Sequence, residues 1–317
     1  NWFISRFGWD TKYEWLIQTP GVVFALAAAI RALTEPGDSI IIQRPVYYPF
    51  SNLIRFNRRN LINSPLIYKN GRYSIDFDDF ESKIIENKVK LFLLCSPHNP
   101  VCRVWTKEEL IRLGNICVKH GVIVVSDEIH CDFVFQYNRH HVFASLNDEF
   151  LYNSVICTAP SKTFNLAGLQ AANIFIANEE IRKKYKDEMK RTGYSHINLI
   201  ASAACQAAYK YGADWFEELS SYLEGNISLV KSTLNNEIPE IILSDPQGTY
   251  LLWLDFRKYS LSEDELEHLI IDKARIWMSR GSIFGVEGRG FYRMNIGLPR
   301  PILEKALKQL IRTFRNI

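Results

Sequence analysis

Short apolar runs alternate along the chain with longer segments whose apolar positions recur every three or four residues. The runs 39–43 (SIIIQ), 90–95 (KLFLLC), 121–127 (GVIVVSD), 153–159 (NSVICTA) and 170–177 (QAANIFIA) read as strands. Several are apolar at nearly every position, the pattern of strands buried on both faces in a parallel sheet covered by helices. The segments between them carry helix-end signals. Residues 22–33 are Ala-rich, follow Pro20-Gly21 and stop at Glu35-Pro36-Gly37. Thr106 and Glu109 form a capping box whose helix stops near His120-Gly121. Helices are predicted over 180–192, 198–211 and 214–235. The texture then changes. Residues 249–255 and 291–296 read as strands, a capping box at Ser262 and Glu265 opens a helix to about Ala274, and 301–315 form a terminal helix. The pattern predicts a large α/β domain over 1–215 with a mostly parallel sheet, and a smaller α+β domain over 216–317.

Composition narrows the function classes. The 317 residues suffice for two domains. Lys and Arg exceed Asp and Glu by only three, so charge gives no case for nucleic acid or a membrane surface. No apolar run reaches the 18 residues of a membrane span. The six cysteines form no CxxC pair and sit in apolar segments, as free thiols do in a reducing cytoplasm. Phosphate-loop, dinucleotide, serine-hydrolase and zinc-protease motifs are absent, and His and Cys show no metal-ligand spacing.

Chemistry collects instead at the predicted strand ends, where open parallel sheets bind ligands. Those ends carry Tyr47 and Tyr48, then Asn99, then Asp127 with His130, then Ser161 and Lys162, while a helix begins at Gly21, Val22 and Val23. The set suits pyridoxal 5′-phosphate. Its aldehyde needs a lysine, its ring nitrogen a carboxylate, its ring a flat partner, its 3′ oxygen a donor, and its phosphate a helix start with free N–H groups. Singly, each residue has a plain structural reading: a loop lysine, a strand-end aspartate, an asparagine in a turn between Pro97 and Pro100, a core tyrosine, a helix-start glycine.

The segments TPGVVFAL, QRPVYYPF, SPHNPVCRVWTKEEL, VSDEIHCDFVF, TAPSKTFNLAGLQAANIF, GTYLLWLDF and GFYRMNIGLPR resemble, in order, the fold-type I pyridoxal-phosphate enzymes of the aspartate aminotransferase superfamily. Within it they are most similar to the MalY/PatB-type cystathionine β-lyases. The resemblance implies a three-layer α/β large domain and a homodimer. It implies that Lys162 forms the Schiff base and then serves as general base at the substrate Cα, that Asp127 pairs with the ring nitrogen, and that Asn99 bonds the 3′ oxygen. Tyr47 would stack on the ring, with Tyr48 as competitor. Gly21, Val22, Val23 and Ser161 would hold the phosphate, and Arg293 the substrate carboxylate, with Arg300 as competitor. His130 joins the cofactor set, standing where many aminotransferases have Tyr. Gln170 stands where many have a phosphate-binding Arg, and both departures favour the lyase branch. Cys102 stands where the family usually has Gly, a substitution that costs roughly 1 kcal/mol or more if φ is positive there.

The implied activity is β-elimination of L-cystathionine- or L-cysteine-like substrates to thiol, pyruvate and ammonia. The alternatives are an aminotransferase on the same site and a catalytically impaired or regulatory protein of this fold. Because the chain starts at Asn1 and family members carry several tens of residues before the NWF-like segment, the small domain is expected to lack its N-terminal portion, and the cofactor site to be weakened.

Overall fold

The computed structural model describes residues 1–135, 137–315 and 317. Its strands are β1 (Leu16–Thr19), β2 (Ser39–Ile42), β3 (Asn60–Asn63), β4 (Ile67–Lys69), β5 (Arg72–Ser74), β6 (Leu91–Cys95), β7 (Ile123–Asp127), β8 (Ser154–Thr158), β9 (Ala172–Phe175), β10 (Ile242–Leu243), β11 (Leu251–Asp255), β12 (Ser279–Arg280) and β13 (Phe291–Asn295). Seven of them form one sheet in the order β1-β9-β8-β7-β6-β2-β3. The pairs among β2, β3, β6, β7 and β8 are parallel, and β9 runs antiparallel to both β8 and β1. The run 170–177 therefore leaves the parallel pattern of its predecessors. Its connection from β8 holds only a four-residue helix and one 3₁₀ turn, with no helix long enough to carry a crossover over the sheet face.

The all-apolar runs have a direct cause. Ile41, Phe92, Leu94 and Val124 point into one core, shared with the helices Phe77–Glu86 and Lys107–Lys119. Ile40, Ile42, Leu91, Leu93 and Val125 point into the opposite core, shared with Val22–Leu33 and Glu179–Arg191. Successive residues of a strand face opposite ways, so a sheet covered on both sides needs apolar residues at every position. Ala25, Ala28 and Ala29 let the helix Val22–Leu33 lie close to its neighbours, and Tyr185 Oη donates to Ala25 O at 3.1 Å.

A second, antiparallel sheet runs β10-β11-β13-β12. Ala213–Glu237 and Arg300–Phe314 pack against it around Leu223, Leu252, Met294 and Leu307. Trp253, Phe284 and Phe291 of this part enter the first core of the large sheet, where Trp253 Nε1 donates to Tyr73 Oη at 3.0 Å. Both predicted capping boxes form, at Thr106 with Glu109 and at Ser262 with Glu265. The second helix is α-helical only over Glu263–Glu267 and continues as a π-helical turn, His268–Lys273, which ends with Ala274 N–H bonded to Leu269 O at 2.8 Å and turns Ile270 and Ala274 inward. The strands that the pattern did not predict, β1, β3, β10, β12 and the β4–β5 hairpin, are short, and most lie at sheet edges. Among the described residues no helix is long and apolar enough to cross a membrane.

Gly114 offers a test of packing against propensity. In a helix interior, Gly→Ala ordinarily stabilises by roughly 1 kcal/mol. Here a Cβ on Gly114 would meet the Phe150 ring at 2.3 Å, and that ring is fully buried and stacked on Phe143. Gly114→Ala is expected to lower stability by about 1–3 kcal/mol. Urea unfolding measures this, and Phe150→Leu in the same chain should recover part of the loss.

Candidate active site

Register sets the site. Cys95 pairs with Asp127, and Asp127 with Cys157, so β6, β7 and β8 end at one level. A cavity of about 360 Å³ opens beyond that level. Gly21, Val22, Val23, Tyr47, Asn99, Asp127, His130, Ser161, Lys162 and Arg293 all line it. The structure thus brings together every site residue expected from the sequence. Tyr48 lines the cavity as well, but 42% exposed at its mouth, whereas Tyr47 is half-buried. Arg300 lies elsewhere and donates to Asn226 Oδ1 at 3.0 Å.

Asp127 closes β7 and is 4% exposed. The hydrogen bond its carboxylate accepts comes from Ile129 N–H at 3.2 Å. Burial is the largest influence and pushes its pKa up to about 7, against the pull of the Ile129 N–H and the Lys162 charge. Lys162 sits on the short helix Pro160–Thr163 directly after β8. Burial lowers its pKa, Asp127 opposes the shift, and Arg293 adds to it. The turn is anchored from below: Thr163 Oγ1 donates to Asp132 Oδ2 at 2.6 Å, and Asp132 also accepts from Trp2 Nε1 at 2.9 Å. The sequence reading missed this tie, because Trp2 and Asp132 stand 130 positions apart with no local signature.

His130 is buried, and its pKa is pushed down to about 3, chiefly by burial and then by the Lys162 and Arg293 charges, so its imidazole is neutral. Its Nδ1 has no hydrogen-bond partner. The ring meets Tyr250 edge-on at 5.8 Å. Tyr250, Leu251 and Asn295 also line the cavity, and nothing in their local sequence marks them. Arg293, on β13, donates to Asn99 Oδ1 at 2.9 Å and to Ser279 Oγ at 3.2 Å, with its guanidinium 4.7 Å over Phe284. Burial lowers its pKa, but a guanidinium stays charged at neutral pH. Burial, then the Asp127 charge, raises the Tyr47 pKa to about 12, so this phenol is also neutral.

The helix start completes the lining. Gly21 takes φ +96°, which favours glycine, and Val22–Leu33 begins without a side-chain cap. Its first carbonyl bond runs from Ala25 N–H to Gly21 O at 3.2 Å, leaving the N–H groups of Val22, Val23 and Phe24 for a ligand. Cys102, beside this site, adopts the left-handed φ of +63° and donates Sγ–H to Leu251 O at 2.9 Å. Gln170 also lines the cavity, at φ +53°.

These features fit pyridoxal phosphate. A buried carboxylate lacks a bonded cation, an amine stands within range of its charge, a helix start lacks a cap, and a tyrosine ring lines the same cavity.

A family model described as aminotransferase class I and II matches residues 7–310. Cystathionine beta-lyase PatB of Bacillus subtilis is 42% identical over 310 residues, covering 98% of this chain and 80% of that protein. Protein MalY of Escherichia coli is 32% identical over 318 residues, covering 100% of this chain and 81% of that one. The crystal structure of cystalysin from Treponema denticola, which contains a pyridoxal 5′-phosphate cofactor, matches with a TM-score of 0.97 at 37% identity, covering 99% of this chain and 80% of that one.

Asp127 carries a pH signature in the cofactor-free protein. Its pKa is about 7 when folded and about 4 when unfolded. Its protonated form is therefore favoured by folding, and stability falls as pH rises from about 4 to about 7. Asp127→Asn is expected to exceed the cofactor-free wild type at pH 8 by up to about 4 kcal/mol and to converge with it below about pH 4. Denaturant titrations at both pH values read this directly.

Proposed function

Because the chain belongs to the aminotransferase class I and II family, we propose that its cavity performs pyridoxal-phosphate-dependent β-elimination of carbon–sulfur bonds. The carrying observation is the convergence of Lys162, Asp127, the uncapped helix start and Arg293 on one cavity. The names of its relatives support the lyase chemistry: cystathionine beta-lyase PatB at 42% identity, and cystalysin among the solved structures. Its substrates are L-amino acids with a thioether or thiol at Cβ, such as L-cystathionine or L-cysteine, and the products are thiol, pyruvate and ammonia.

The residue roles belong to the same proposal, and the shared cavity supports them. Lys162 holds the cofactor covalently. Asp127 gains the cation that its burial leaves it without, and its carboxylate is then stabilised in the charged form. Gly21, Val22, Val23 and Ser161 would hold the phosphate, Tyr47 would pack on the ring, and Asn99 would donate to the 3′ oxygen. When bound, pyridoxal phosphate supplies an electron sink conjugated to the substrate Cα. Lys162, its pKa lowered by burial, takes the Cα proton once the substrate amine has displaced it. Arg293 binds the substrate carboxylate as a two-pronged donor and fixes Cα toward Lys162. Neutral His130 lies beside the cationic pair without adding charge. The Cα–H and Cβ–S bonds break, the sulfur leaves with the electron pair, and water completes the release of pyruvate and ammonia.

The finer assignments form part of the same reading. Residues 1–215 make the cofactor-binding unit and 216–317 the smaller one, with the helix Ala213–Glu237 at the junction. The protein acts as a homodimer. Leu199, 84% exposed beside a separate cavity of about 1190 Å³ on another face, supports a paired surface there. Six buried, unpaired thiols support a reducing cytoplasmic setting.

Two measurements test this function. The protein loaded with pyridoxal phosphate should show a visible absorbance band of the covalent lysine adduct, lost in Lys162→Ala; a band that survives the substitution would refute the assignment. It should also release pyruvate and thiol from L-cystathionine without a keto acid. Turnover that requires a keto acid would make it an aminotransferase instead.

A further inference from the structure

A second cavity, about 690 Å³, abuts the first and shares Tyr48 and Arg293 with it. Arg44 and Arg55 line it, with the hydroxyls of Ser51 and Ser282. It thus begins where the substrate carboxylate would be held and leads away from Lys162. Three guanidiniums reach it, and among the described residues none lies within 4.0 Å of a carboxylate. Arg44 Nη2 donates to Ser51 Oγ at 2.9 Å, but its Nε is buried with no acceptor. The nearest acid, Glu287, uses one oxygen to accept from Asn63 at 2.7 Å, and its other oxygen has no donor. Burial lowers the Arg44 pKa first; the charge of the nearby Glu287 opposes the shift and the weaker influence of Arg55 adds to it. Gly285, at φ +129°, keeps this space open, since a Cβ there would meet Arg44 Cδ at 2.8 Å.

We propose that this cleft receives the leaving-group arm of the substrate, and that Arg44 and Arg55 select thioethers whose arm ends in a carboxylate. The proposal rests on the β-elimination reading above. An arm attached through sulfur at Cβ passes Tyr48, the 42% exposed residue between the two cavities. Beyond it, a carboxylate meets Arg44 and Arg55, neither of which makes an ion pair within 4.0 Å among the described residues, with serine hydroxyls beside them. A cationic arm would meet like charge, and a neutral amide arm would offer Arg44 Nε an acceptor without the charge that strengthens the bond. Because Arg55 is exposed to solvent, its charge is screened, and the preference should be moderate.

The test uses two isosteric substrates, S-(2-carboxyethyl)-L-cysteine and its neutral amide, S-(2-carbamoylethyl)-L-cysteine. Cofactor-loaded wild type should favour the carboxylate in kcat/KM by about tenfold. Arg55→Ala and Arg44→Gln should each cut that preference to about twofold or less, with turnover of the amide retained as evidence of an intact fold. Calorimetry with 3-(methylthio)propanoate and its amide, which cannot react, should show the same order of affinity in wild type and lose it in Arg55→Ala, which separates the cleft from Arg293. Equal use of both substrates by wild type, or a preference that survives in both variants, overturns the proposal. If neither substrate is cleaved, the β-elimination reading fails. The calorimetry alone then rules on the cleft, and equal affinity for acid and amide overturns it.

Discussion

Parallel, in-register pairing of β6, β7 and β8 is the constraint on which the rest depends. Cys95, Asp127 and Cys157 stand side by side, so the loops that follow start from one level and must share one space. Each strand is buried on both faces, which fixes its register against slippage, because a one-residue shift would exchange the side chains of two different cores. The polar residues thus appear only where the strands stop, and Asn99, Asp127, His130 and Lys162 meet there. The antiparallel β9 and the second sheet close the remaining sides, with Arg293 reaching in from β13.

Electrostatically the cavity is unfinished in the chain alone. Asp127 is buried without a bonded cation, His130 is held neutral, Lys162 is pulled toward its free amine, and a helix start is uncapped. Burial dominates each of the three pKa shifts. A folded protein tolerates such groups where a ligand supplies the missing charges, and pyridoxal phosphate brings both a cation for Asp127 and an anion for the helix. The anchoring beneath Lys162 is by contrast complete: Thr163, Asp132 and Trp2 satisfy one another. Lys162, the base of the proposed reaction, therefore sits on a turn tied to the chain start through Asp132.

Much of this was legible in the chain. The strands with apolar residues throughout were visible because double burial leaves no polar position. The helices at Val22 and Lys107 were visible because their starts carry Gly21 and a capping box. The short strands β1, β3 and β10 were not, since segments of two to four residues form strands only when a neighbouring edge offers hydrogen bonds. The motif raised a left-handed backbone at Cys102 only as a condition, which the structure meets; that its thiol would bond Leu251 O had no sequence signal.

By itself, then, the sequence determined the layered α/β plan, the strand ends and the chemical types gathered there, because periodicity and end signals are local and act through burial and backbone hydrogen bonding. Only the tertiary structure decided that Tyr47 lies inside and Tyr48 at the mouth, that Arg293 and not Arg300 reaches the cavity, that Trp2 braces the lysine turn, and that Arg44 and Arg55 open onto a common cleft. These depend on contacts between residues far apart in the chain, whose geometry is set when the two sheets pack through Trp253, Phe284 and Phe291. No local pattern encodes that packing, since many spacings along the chain are compatible with the same elements.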